Sequence, residues 1–144
     1  MRKVTVEHEI DVPAAAVWAC LASVDGIENW SPPSLSSVKT GFHVGAKRIV
    51  TFEQGDLYEE VREVDHENMI FAYAVLVQPL FPLKGEARGR VQVFPGQKKQ
   101  TKVRWEVEFD IDEEHFAATQ EAVHGLYSAN IMGIESYLKE FKSK

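Results

Sequence analysis

The sequence is poor in the residues that announce a particular chemistry. It has one cysteine, Cys20, in 144 residues. A lone cysteine excludes an internal disulfide and a cysteine-ligated zinc site, and it suits a reducing cytoplasm. The five histidines, at 8, 43, 66, 115 and 124, have no paired spacing of the H-E-x-x-H kind, so neither a metal nor a cofactor is expected. There is no G-x-S-x-G turn, no phosphate-binding G-x-x-x-x-G-K loop and no G-x-G-x-x-G fingerprint. Positive charge is also in deficit: 16 basic against 22 acidic residues give a net charge of −6, which argues against nucleic acid as a partner. No apolar run approaches the ~18 residues of a membrane span, and MRKVTVEHEIDV lacks the apolar core of a secretion signal. Repeats, low-complexity segments and linkers are missing too. The expectation is one cytoplasmic domain over residues 1–144, without a membrane span.

What remains is periodicity. Residues 3–12 alternate, with Val4, Val6, His8, Ile10 and Val12 on one face and charged or polar residues on the other, which predicts a half-buried strand. Pro13 then suits the first turn of a helix carrying Val17, Trp18 and Leu21 inward, and a second short helix spans 27–30 before Pro32 and Pro33. Strands are expected over 38–42, 45–54, 57–64, 69–77, 87–94 and 101–111, with EQGD (53–56) as a tight turn. The run MIFAYAVLV (69–77) is apolar throughout and reads as buried on both faces. QPLFPLKGE (78–86) reads as a proline-punctuated loop. From Asp112 the period changes to 3.6, with Phe116, Gln120, Val123, Tyr127, Ile131, Ile134, Leu138 and Phe141 forming the stripe of one long helix over 112–142. Gly125 and Gly133 inside it permit a close approach to a neighbour or leave free volume.

Strands followed by a long helix imply an α+β fold, and an antiparallel sheet that twists will curl around such a helix. The segments VPAAAVWACLASVDGIENWSP (12–32), GAKRIVTF (45–52), LYEEVREVD (57–65), FAYAVLVQPLFPLKGEARGRVQV (71–93), TKVRWEVEF (101–109) and IMGIESYLKEF (131–141) resemble the START-related superfamily, in its bacterial polyketide cyclase/dehydrase-like branch. The resemblance implies a helix-grip fold: a curved antiparallel sheet of about seven strands around a long C-terminal helix, with two short helices after strand one. It also implies a deep, mostly apolar cavity that binds lipids, hormones or polyketides. The glycine-rich loop of the plant pollen-allergen members is absent, TGFHVGAKR (40–48) standing in its place.

Candidate residues follow from parity. His8 is either a polar group of the cavity or a sheet residue bonded to a neighbour. Arg48 shares a face with Val50 and Phe52, and Glu59 shares one with Leu57 and Val61. If both point inward they must pair, because an isolated buried charge is too costly, and such a pair can hold a ligand's carbonyl or carboxylate. Trp30, Phe71, Tyr73, Trp105 and Tyr127 are core or cavity wall, as are Val107, Val123 and Ile131; buried tyrosine hydroxyls need partners. Phe81, with Leu80 and Leu83, lies in a loop whose apolar residues cover an opening or meet another molecule. His124 either points at a ligand or is a solvated residue of the helix flank, and Arg88 and Arg90 are expected at the surface. The reading is a carrier or sensor of a small hydrophobic molecule, in a protein that is a monomer or weak homodimer. The alternative is a cyclase or dehydratase using the same cavity, entered near 26–33 and 78–85.

Overall fold

The computed structural model describes residues 1–142, with side chains described as far as Glu140. The chain runs β1 (Arg2–Ile10), α1 (Ala14–Ala22), a turn of 3-10 helix (Ile27–Asn29), β2 (Ser34–Lys39), β3 (Lys47–Phe52), β4 (Gly55–Asp65), β5 (Ile70–Val77), β6 (Leu83–Pro95), β7 (Thr101–Ile111) and α2 (Glu113–Lys142). The strands form one antiparallel sheet in the order β1-β7-β6-β5-β4-β3-β2.

That order explains the interruption after β1. β1 and β2 are consecutive in sequence yet occupy opposite edges, and seven strands at 4.7–4.9 Å spacing separate the edges by about 29 Å along the sheet. Residues 11–33 make the crossing. Pro13 starts α1, its carbonyl accepting from the amides of Ala16 and Val17. Val17, Trp18 and Leu21 are buried beneath, as the stripe requires. The second short helix of the expectation is only one 3-10 turn, and Trp30 lies just beyond it. With five residues between Gly26 and Pro32 there is room for little more than that.

The strands bury the expected faces, most cleanly in β7, where Val103, Trp105, Val107, Phe109 and Ile111 are buried. Most boundaries differ by one to four residues, three of them with consequences. β2 begins at Ser34 rather than 38. β5 is buried on both faces only over 70–75; Leu76 and Val77 are exposed, because the register slips between Tyr58 and Glu59 and turns the strand end outward. β6 already begins at Leu83, which pairs with Ile111, so the free part of the following loop is Gln78–Pro82.

Helix α2 buries Thr119, Val123, Asn130, Ile131 and Ile134, while the side chain of Phe141 lies outside the described residues. Its start is tied to the sheet by Arg2–Glu113 at 2.7 Å and Lys84–Asp112 at 2.5 Å. Among the described residues no helix is long and apolar enough to cross a membrane.

The two helix glycines divide the roles anticipated for them. A Cβ on Gly133 would lie 1.8 Å from the Trp30 carbonyl oxygen, so the crossing segment sits directly on bare helix backbone there. A Cβ on Gly125 would meet nothing within 4 Å. Gly133→Ala is therefore expected to lose at least about 2 kcal/mol by overpacking against an immovable carbonyl. Gly125→Ala is expected to gain about 0.5–1 kcal/mol from helix propensity. Urea titration of both variants checks the opposite signs.

Candidate functional site

Three rings from three elements meet between the sheet and α2. Tyr73 of β5 is paired across the sheet with Gly89 of β6. A Cβ on Gly89 would fall 2.2 Å from the Tyr73 ring, so the ring lies flat over the glycine and reaches past β6 to β7. There Trp105 Nε1 donates to Tyr73 Oη at 3.0 Å. The Tyr73 hydroxyl donates in turn to Tyr127 Oη, also at 3.0 Å. The first of these directions is fixed chemically, because an indole nitrogen only donates. Tyr127 is left with the terminal O–H of the chain, and no acceptor for it is found among the described residues. Its ring stacks at an angle on Trp105, 4.9 Å between centroids.

Burial sets the protonation of both tyrosines. It pushes the Tyr127 hydroxyl up to about 12, with Glu59 adding to the rise and the Tyr73 hydrogen bond and Arg48 opposing it. Tyr73 is raised well above the usual value by burial, with Tyr127 and Glu59 reinforcing. Both are donors at neutral pH.

Beside them lies the ion pair anticipated from parity. Arg48 and Glu59 are opposite one another on β3 and β4, with Nε–Oε1 at 2.6 Å and both side chains only 7% exposed. The guanidinium carbon stands 5.9 Å from the Phe71 ring centre. A guanidinium has five N–H donors. Among the described residues only the one on Nε has a partner.

Next to Tyr127 the packing leaves a void of about 40 Å³, walled by Val107, Val123, Leu126, Leu57, Val75 and Phe109 and roofed by Leu80, Phe81 and Leu83. The roof is held by one side chain. Gln78 Oε1 accepts from the amides of Leu80 and Phe81 at 2.8 Å each, and Gln78 Nε2 donates to the Phe81 carbonyl at 2.7 Å. Pro79 rests near Gly55 of the β3–β4 turn, so two loops share this end.

The structure distributes the remaining candidates around this centre. Phe81, Val107, Val123 and Tyr127 touch the void. Val50, Phe52, Phe71 and Ile131 are buried in the surrounding core without touching it. His8 is half-buried and hydrogen-bonded to Ser128 of α2, the neighbour-bonded alternative. His124, Arg88 and Arg90 are exposed. Trp30 is buried, its ring 6.2 Å from that of Trp105. The 26–33 end, however, does not open inward: the Trp30–Gly133 contact closes it, and the groove of about 380 Å³ outside, lined by Ala16, Cys20, Tyr137 and Leu138 among others, faces the surface. Burial pushes the Cys20 thiol up, keeping it in its unreactive form. Sequence reasoning missed Gln78, Gly89 and Asn130. Gly89 was legible as a glycine at an inward position of an otherwise regular strand, and Asn130 as a polar residue on the helix stripe; Gln78 carried no signal.

A curved sheet of seven antiparallel strands gripping one long helix, with a short helix after strand one, defines a helix-grip protein. The chain matches the model of the polyketide cyclase/dehydrase and lipid transport family over residues 1–139 and belongs to that family. A protein of Thermobifida fusca, solved in solution, is 23% identical with a TM-score of 0.82, over 95% of this chain and 93% of that one. XoxI from Bacillus cereus is 20% identical with a TM-score of 0.84, over 99% of each. A point mutant of norcoclaurine synthase from Thalictrum flavum, in complex with a transition-state analogue, is 16% identical with a TM-score of 0.77, over 98% of this chain and 96% of that one. No curated protein sequence matches the chain.

Two outcomes follow from the buried groups. Arg48→Met alone should cost about 3–5 kcal/mol, because Glu59 is left an unpaired buried charge, whereas Arg48→Met with Glu59→Leu should come much closer to neutral. Thermal or urea unfolding of the single and double variants distinguishes them. The Tyr127 pKa is raised in the folded state, so its contribution to stability is complete below the unfolded value near 10 and declines as pH rises from there toward 12. Urea midpoints should fall between pH 9 and 11 in the wild type, and less steeply in Tyr127→Phe.

Proposed function

We propose that this protein binds a small, mostly apolar molecule bearing a hydrogen-bond acceptor, in the space between α2 and the sheet. The observation that carries the reading is a donor without an acceptor at the edge of an apolar void. The terminal O–H of Tyr127 is unengaged beside walls of Val, Leu and Phe, and the Arg48–Glu59 pair lies in the surrounding interior rather than on the void's lining. Buried polar groups are ordinarily bonded, and a carbonyl oxygen would complete this one. A neutral acceptor suits the site better than a carboxylate. Arg48 is already balanced by Glu59, and a second buried anion would stand uncompensated.

The void of about 40 Å³ has room for a water molecule or a methyl group, against the ~300–1,000 Å³ usual for ligand pockets. The described state is a closed one. Binding requires the Gln78–Pro82 roof to lift, and that short segment is joined to the sheet on either side. The same fold serves norcoclaurine synthase, so fold alone does not choose between carrier and enzyme. The choice rests on proton chemistry. The two tyrosines are held protonated and Glu59 is committed to Arg48, so the site offers donation to a bound group rather than proton abstraction.

The neutral carbonyl dye Nile red serves as a test ligand. It is expected to bind with micromolar affinity, weakening about tenfold in Phe81→Asp and in the charge-balanced Arg48→Met/Glu59→Leu variant. If Phe81→Asp instead shifts the sedimentation coefficient toward monomer and leaves dye affinity unchanged, Phe81 is a dimer contact and the roof reading fails. Native mass spectrometry of the purified protein would then identify any small molecule that accompanies it.

A further inference from the structure

Asn130 is 5% exposed, and its Oδ1 is fully enclosed without a donor among the described residues. An orphaned buried acceptor carries a desolvation penalty, and asparagine is a poor helix former, so a leucine would serve the core better. Its position supplies the explanation. Positions 123, 127, 130 and 134 are successive three- and four-residue steps along one helix face. Val123 and Tyr127 border the void, while Ile134 is fully buried. Asn130 lies about 4.5 Å farther along the axis than Tyr127, at 1.5 Å per residue. One turn beyond, the Trp30 carbonyl on Gly133 closes the end. Asn130 thus lies on the helix face that borders the void, beyond the void's own lining and before its sealed end, with an acceptor facing no donor.

We infer that Asn130 reads the leading end of the ligand, selecting molecules whose deepest group carries an O–H or N–H donor. This rests on the ligand-binding reading above and adds to it. Tyr127 takes an acceptor, and Asn130 takes a donor about 4.5 Å farther along the helix. The ligand class becomes an apolar body with a hydroxyl or amine at its buried end and a carbonyl-type oxygen nearer the roof. A ligand lacking the donor would leave Oδ1 desolvated as it is now and gain nothing from it.

Two probes of nearly equal shape separate the donor from the apolar body: 2-naphthol, which can donate, and 2-methoxynaphthalene, which cannot. Binding of each is measured by fluorescence to the wild type, Asn130→Leu and Asn130→Ala, with melting temperature confirming that the variants fold. The ratio of the two affinities is expected to favour 2-naphthol in the wild type and to drop about tenfold in both variants, mostly through weaker naphthol binding. An unchanged ratio in a folded variant, or a wild type that holds both probes equally, overturns the role of Asn130 and leaves the ligand-binding reading intact. Failure of the wild type to bind either probe or Nile red overturns that reading, and this inference with it.

Discussion

The Tyr73 ring lying over Gly89 is the contact on which the interior depends. It sends a β5 side chain across β6 so that one hydroxyl joins β7, through Trp105, to α2, through Tyr127. A side chain at 89 would force the ring upright and end the hydrogen-bond relay at its middle member. The glycine also places polar atoms where the sheet alone would present only Val61, Val91, Val107 and similar residues. The centre of the grip is thus polar by construction, while its perimeter is a conventional aliphatic core.

The ion pair beside the relay is explained poorly by stability alone. Two charges 7% exposed bring a large desolvation cost, which a hydrophobic pair of similar volume would avoid. Such costs are expected where a site is held ready for something other than the native core. Gln78 contributes in the opposite direction. Its three hydrogen bonds order the short roof from within the loop itself.

The fold was legible because its signals are local and repeated. The alternation of 101–111, the 3.6-residue stripe of α2 and the glycine turn at Gly55 each specify one element from adjacent residues. The inward pairing of Arg48 with Glu59 was legible as well, since parity put both on faces that otherwise carry Val50, Phe52, Leu57 and Val61. The misplaced features were non-local. Leu76 and Val77 look buried in sequence, and only the register slip opposite Tyr58 turns them outward. The segment 26–33 resembles a portal in composition, and only the seat of Trp30 on Gly133 closes it. Asn130 was passed over because one polar residue in a helix stripe barely alters the period. Its orphaned oxygen becomes visible only once the neighbours are in place.

The pairing of β1 with β7 has a consequence for how the molecule comes into being. Arg2 lies opposite Phe109 and Ile10 opposite Thr101, so β1 leaves the ribosome without a partner until roughly a hundred residues more have followed. The crossing segment has its seat only later still, when Gly133 has been synthesised. A nascent chain therefore carries an unpaired apolar strand, Val4, Val6 and Ile10 included, until β7 has been made. Its neighbours Lys3, Glu7 and Glu9 leave the strand's other face charged, which guards such an edge against pairing with another chain during the wait.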